Sequence, residues 1–182
     1  RVWERFVKPA GDISKYNIFL DDRPALTPRK IASRLKKIER YTGRVDLAIV
    51  DYVGLMKTGH KMDYFSSKTD AQEYISGELK TIARTFHIPL LAAVQLNREV
   101  EKREDKRPVQ SDLRGSGAWE QDASVIIFLY RDEVYNPVTE FPNQAELIVA
   151  KNRHGATGTT NIFFEKTQAR FHNGRVLSTT TI

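Results

Sequence analysis

Apolar and polar positions along the chain alternate with two distinct periods. Ile31, Leu35 and Ile38 fall at i, i+4 and i+7, with Arg34, Lys36, Lys37 and Arg40 on the opposite, wet side, a spacing that predicts an amphipathic helix. Its ends are marked as well: Thr27 suits the N-cap, Pro28 the first helical position and Gly43 the stop. A polar loop over 57–69 leads to a second helical pattern, with Ile75, Leu79, Ile82, Ala83 and Phe86 on one face. The remaining apolar positions come in short runs. "NIFLDD" (17–22) reads as a strand closed by acids, and "VDLAIV" (45–50) as a strand covered on both faces. Pro89 opens a third, "LLAAV", and "SVIIFLY" (124–130), "AELIVAK" (145–151) and "TTNIFFE" (159–165) read as three more. Strand, helix, strand, helix and then several strands predicts an α/β sheet with a β-rich C-terminal end. The charge-dense segment 97–107 is expected to be exposed, and the polar tail "STTTI" to fray.

Composition narrows the picture only a little. A length of 182 residues with 40% hydrophobic content fits one domain able to bury a core. The net charge of +6 favours an anionic partner such as nucleic acid. The chain has no cysteine, which excludes disulfides, thiolate metal sites and cysteine nucleophiles. A cytoplasmic setting is compatible with that lack of cysteine, and with no apolar run of membrane-spanning length no membrane is expected among its partners. The opening "RVWERFVKPA" lacks both the shape of a signal peptide and an initiator Met. The chain is therefore expected to be a piece of something longer.

Candidate chemistry sits at strand ends, where open α/β sheets place their ligands. Asp51 follows "LAIV", Gln95 follows "LLAAV", and Lys151 follows "AELIVA". An acid after four apolar residues is what a nucleotide hydrolase uses to hold Mg²⁺; the same pattern also suits an aspartate that caps a turn. The "GLMKTGHKM" that follows imitates a phosphate loop without being one. Gly54 and Gly59 have the right gap, but His60 displaces the lysine and Met62 stands where Ser or Thr is required.

In "RPVQSDLRGSGAWEQD", Ser111 and Asp112 are turn and cap chemistry, and Gly115 and Gly117 allow a backbone to come close to a phosphate. With Arg114 between them, this loop reads either as a tracker of a nucleic-acid strand or as a plain loop with a helix cap. In "KNRHGATG", Lys151 and Arg153 lie two apart, so on a strand both point the same way. They suit a phosphate contact, the arginine as a finger on another subunit, or a solvated hairpin end. The four histidines show no ligand spacing, and Phe163, Phe164 and Phe171 read as core.

Taken in order, "VDLAIVDYVGLM", "ELKTIARTFHIPLLAAVQLNREVEKREDKRPVQSDLRGSGAWEQDASVIIFLYRDEVYNP" and "AELIVAKNRHGATGTTNIFFE" closely resemble the C-terminal ATPase domain of DnaB-type replicative DNA helicases, over residues 17–171. The resemblance implies a RecA-like fold that works as a homo-hexameric ring. That ring would move 5′ to 3′ along single-stranded DNA using ATP and Mg²⁺, with a primase and a helicase loader as further partners. It implies that Asp51 is the Walker B acid on Mg²⁺, directly or through water, and that Gln95 senses the γ-phosphate. It implies that Lys151 and Arg153 act in the neighbouring subunit's site, and that Arg114, Gly115 and Gly117 lie on the DNA-backbone loop. Two positions depart from the family pattern, which usually has Glu in place of Gly115 and Ser in place of Val94. The family's phosphate loop and catalytic glutamate lie N-terminal to the matched region and are not in these 182 residues. The sheet is therefore expected to be incomplete, and the chain alone unable to hydrolyse ATP. Two other readings share parts of the pattern. One is a different RecA-like ATPase of DNA repair, and the other is a phosphate-loop-free relative that only binds single-stranded DNA.

Overall fold

The computed structural model of the chain describes residues 2–59, 67–113 and 116–173. Four helices are present among them: α1 (Val2–Ile13), α2 (Pro28–Thr42), α3 (Lys68–Thr85) and α4 (Ser116–Asp122). Helix α2 begins and ends as its sequence dictates. The Thr27 side chain accepts a hydrogen bond from the Lys30 N–H, Pro28 takes the first position, and Gly43 closes the helix at φ 85°, where a side chain would be strained. Ser67 caps α3 in the same way through the Asp70 N–H. Leu35 of α2 and Ile75, Leu79 and Ile82 of α3 are buried in a common core with Val53, Ile88, Leu113, Trp119, Ile126 and Phe128.

The strands form two separate sheets. β1 (Ala48–Val50) and β2 (Leu90–Ala92) pair in parallel, Ala48 opposite Leu90 and Val50 opposite Ala92. β3 (Val125–Tyr130), β4 (Gln144–Asn152), β5 (Gly158–Glu165) and β6 (Arg170–His172) run antiparallel in that order. The parallel pair joined through helices, followed by a β-rich end, is the α/β arrangement expected from the sequence.

Among the described residues no ladder joins β2 to β3. Between them lies an open cavity of about 950 Å³, lined by residues 90–94 on one side and 124–129 on the other. Among the described residues the two sheets are thus not joined into one. The same division corrects the expectation that "VDLAIV" is covered on both faces. Leu47 is 50% exposed, Ile49 63% and Leu91 56%, and the outward residues of β3 are similarly bare. The continuous apolar run marks a strand suited to burial on both faces, but among the described residues only one face of it is covered. Trp119 lines the same cavity, and its buried indole N–H has no partner among the described residues.

"NIFLDD" is not a strand. Residues 17–23 are irregular, no ladder includes them, and Ile18 and Leu20 are 60% and 91% exposed. An apolar run has no strand to form without a neighbouring edge to supply its backbone hydrogen bonds. Asp21 instead binds the Arg23 side chain at 2.5 and 2.7 Å, and Phe19 meets Tyr41 edge to face. Part of the polar loop (60–66) and the "STTTI" tail lie outside the described residues. Of the three phenylalanines read as core, Phe163 and Phe164 are half-buried, while Phe171 is 43% exposed and packs on Phe164.

Candidate functional site

The parallel pair places two of the candidate residues at the same edge. Asp51 follows the last residue of β1, and Gln95 lies three residues past the end of β2. Val50 and Ala92 are opposite each other in the ladder. Beyond them the Ala93 N–H donates to the Val50 carbonyl at 2.9 Å and the Val53 N–H to the Ala93 carbonyl at 3.1 Å. Both residues therefore emerge at the carboxyl edge of one sheet. Both are exposed, and neither side chain has a hydrogen-bond or ion-pair partner among the described residues. A solvent-facing carboxylate without a partner is a hard oxygen donor of the kind Mg²⁺ takes, usually alongside waters and phosphate oxygens. Asp51 does not cap a turn through its side chain: the short 3-10 turn after it, Val53–Leu55, has no side-chain cap. Gly54 lies within that turn.

Lys151 lies in β4, paired with Ile126 of β3, and Arg153 is the first residue past the strand, its N–H bonded to the Ser124 carbonyl at 2.8 Å. As the two-residue spacing predicts, their side chains go the same way. The Lys151 ammonium donates to the Glu120 carbonyl, and the Arg153 guanidinium donates to the Gln121 carbonyl at 3.2 Å. Those are the last carbonyls of α4, which lack partners inside the helix and carry its negative end. Helix α4 is also tied to α3, where the Ser76 hydroxyl donates to Asp122 at 2.6 Å. The two cations, α4 and the amino end of β3 thus form one packed unit.

Arg114 and Gly115 lie outside the described residues. Gly117 is the second residue of α4 and not part of a loop; a Cβ there would meet nothing within 4 Å. Approach to its backbone is therefore open. On the other side of the gap, Leu113 pairs with Leu96 in an isolated antiparallel bridge, and the Asn97 N–H donates to the Asp112 carbonyl at 2.7 Å. Gln95 is thus one residue away from a segment bonded directly to the residues preceding Arg114.

Sequence reasoning did not single out what holds that segment. Asp112, read as turn and cap chemistry, does accept the Val109 N–H at 2.8 Å. It is also buried, at 6% exposure, and paired with Arg103. Arg107 binds Glu146 of β4 at 2.6 and 2.8 Å and lies over the Tyr130 ring at 4.9 Å. These contacts raise the Arg107 pKa, the Glu146 hydrogen bonds most. Burial, followed by its hydrogen bond to Asp132, pushes the Tyr130 phenol up to about 12. The one local sign of this network was the density of charge in 97–107, and density does not reveal pairing across the fold.

Comparison with known proteins gives consistent results. The model of the DnaB-like helicase C terminal domain family matches residues 1–173. The chain is 42% identical over 161 residues to the replicative DNA helicase DnaB of Buchnera aphidicola subsp. Acyrthosiphon pisum, covering 88% of this chain and 34% of that protein. It is 41% identical over 172 residues to that of Haemophilus influenzae, covering 94% and 36%. It is 37% identical over 172 residues to the replicative DNA helicase DnaC of Bacillus subtilis, covering 94% and 37%. The chain therefore spans about a third of the length of these curated relatives. Among solved structures, a DnaB-like replicative helicase, solved with reference to its interactions with primase, superposes with a TM-score of 0.87 at 38% identity, covering 93% of this chain and 40% of that one. A second solved chain, an ATPase domain, superposes with a TM-score of 0.89 at 37% identity, covering 95% and 60%.

Proposed function

The chain belongs to the DnaB-like helicase C-terminal domain family, and from that premise we propose that it is part of the ATP-driven motor of a hexameric replicative DNA helicase moving along single-stranded DNA. The observation that carries the reading is the placement of Asp51 and Gln95, both without a side-chain partner among the described residues, at the carboxyl edge of the parallel sheet. Asp51 holds Mg²⁺, directly or through water, and Gln95 faces the γ-phosphate. The metal ion, when bound, neutralises charge on the phosphate oxygens. Lys151 and Arg153 project from the opposite, antiparallel sheet and serve the nucleotide of an adjacent subunit. Arg114, Gly115 and Gly117 contact the DNA backbone; with Gly115 in place of the usual Glu, only backbone N–H groups act at that position. A primase and a loader are partners of the assembled ring.

The chain carries no G-x-x-x-x-G-K-[ST], and the pure 182-residue protein is expected to show no steady-state ATP turnover. Robust turnover in a coupled phosphate-release assay would place the phosphate-binding chemistry elsewhere and overturn this assignment.

Binding of single-stranded DNA is measurable without ATP. In an anisotropy titration against labelled oligothymidylate, Arg114→Ala should weaken binding similarly across sequences. It should also make the dependence of log affinity on log salt shallower by about one unit, since one phosphate contact is lost. An unchanged affinity and slope would take Arg114 off the DNA path.

A further inference from the structure

Residues 97–113 form a closed bracket that touches two parts of the proposed machinery. Its ends meet beside Gln95, where the Asn97 N–H donates to the Asp112 carbonyl and Leu96 pairs with Leu113. Two residues before Asp112, the Gln110 side-chain amide donates to the Ala150 carbonyl at 3.0 Å, one residue before Lys151. One ion pair braces the inside of the bracket against its end. Arg103 grips both Asp112 oxygens, at 3.1 and 2.7 Å, and donates to the Arg107 carbonyl at 2.8 Å. The Asp112 side chain is 8% exposed and accepts the Val109 N–H as well, so its oxygens are well satisfied.

With Asp112 buried and Arg103 half-exposed, such an ion pair contributes little to stability that apolar residues could not supply. What a bidentate fork supplies that apolar packing does not is a fixed geometry. Here the fixed element is the backbone of Asp112, to which the Gln95 segment is bonded.

We propose that Arg103 and Asp112 are positioning residues: their bidentate pair makes residues 97–113 a rigid bracket through which Gln95, in a subunit's own nucleotide site, and Lys151 and Arg153, in its neighbour's, move as one. This rests on the proposed function and adds to it a physical link between adjacent sites of the ring.

The test uses full-length subunits carrying this sequence, assembled as a ring. Arg103→Lys keeps the charge but loses the fork, and Gln110→Ala cuts only the tether to β4. Each should lower kcat for ATP by about tenfold with KM within about twofold of wild type, because the groups are misaligned while nucleotide is still bound. Wild-type kcat in both variants, or a rise in KM with kcat intact, overturns the bracket. If Arg103→Lys does not fold, Gln110→Ala, which disturbs no buried charge, decides alone.

Hydrogen exchange on the 182-residue chain supplies an arm independent of hydrolysis. Arg103→Lys should speed exchange of the Asn97 and Arg153 amides together, by about tenfold, the scale of coupling between residues in one network. A response at Asn97 alone overturns the proposal. A wild-type ring that neither binds nor hydrolyses ATP, with the two amides still responding together, instead overturns the helicase reading and leaves the bracket standing.

Discussion

Arg153→Ala in the assembled ring is expected to stop ATP hydrolysis, with kcat reduced roughly 10³-fold or more, the range seen when an arginine finger is removed. Nucleotide binding should be largely intact, because the charge the guanidinium stabilises develops only in the transition state. Misfolding would not account for a loss of that size. Arg153 is exposed, and among the described residues its side chain makes a single hydrogen bond, to the Gln121 carbonyl. Removing one bond of that kind costs about 1.5–3 kcal/mol, less than the stability of a typical domain, so the variant should fold and assemble.

Lys151 does not replace the lost fork, since an ammonium is a point charge without the planar pair of donors. Mixing Arg153→Ala subunits with Asp51→Asn subunits separates action within a subunit from action between subunits. If the two residues meet across an interface, some junctions in a mixed ring combine an intact Asp51 with an intact Arg153, and part of the activity returns. Wild-type kcat for Arg153→Ala, or the loss of nucleotide binding instead of turnover, would remove Arg153 from the finger role.

How much of this was legible in the sequence depended on the range of the interactions involved. Helix α2 was readable to its last residue because Thr27, Pro28 and Gly43 act within one turn of themselves. The positions of β3, β4 and β5 were readable because each run is long, and alternation of buried and exposed residues along β3 agrees with a pleated strand. Asp51 and Gln95 stood out because an acid or amide directly after an apolar run is a local signal. "NIFLDD" misled for the converse reason: its composition is that of a strand, but a strand needs an edge to pair with, and none is adjacent to it here. The exposed faces of Ile49 and Leu91 show the same limit, since burial depends on what else is packed there. Helix α1 went unread, although Trp3, Phe6, Val7 and Ala10 have helical spacing; Pro9 and Gly11 obscured it. The bracket of 97–113 was least legible of all, because Gln110 and Arg107 find their partners about 40 residues away, at Ala150 and Glu146.

Stability against acid should depend on Glu133 more than on any exposed carboxylate. Its side chain is 4% exposed and joins three parts of the fold. It accepts the Arg131 guanidinium, the Lys166 ammonium at 2.9 Å and the Asn143 N–H at 3.0 Å. Arg131 in turn lies over the Phe164 ring at 3.9 Å. Burial by itself would push the Glu133 carboxyl up, but the bonds from Arg131, Lys166 and Asn143 override it and hold it down at about 2. A depressed carboxylate stabilises the folded state in full above its unfolded pKa near 4.5, and that stabilisation is lost as the pH falls toward about 2. Allowing for screening of the exposed Lys166, the contribution is on the order of 2 kcal/mol. That corresponds to roughly 4–8 °C in Tm for a chain of this size.

Glu133→Gln should therefore melt that much lower than wild type at pH 7, and the two melting curves should converge as the pH is taken from about 5 to about 2. Asp21, Asp105 and Asp132 are also held below the usual range, Asp21 and Asp132 mainly by side-chain hydrogen bonds and Asp105 by a backbone one. They titrate in both proteins and cancel in the difference, which leaves the convergence as the signature of Glu133 alone. A constant gap in Tm down to the acid end of that range would mean that Glu133 acts through shape and packing and not through its charge.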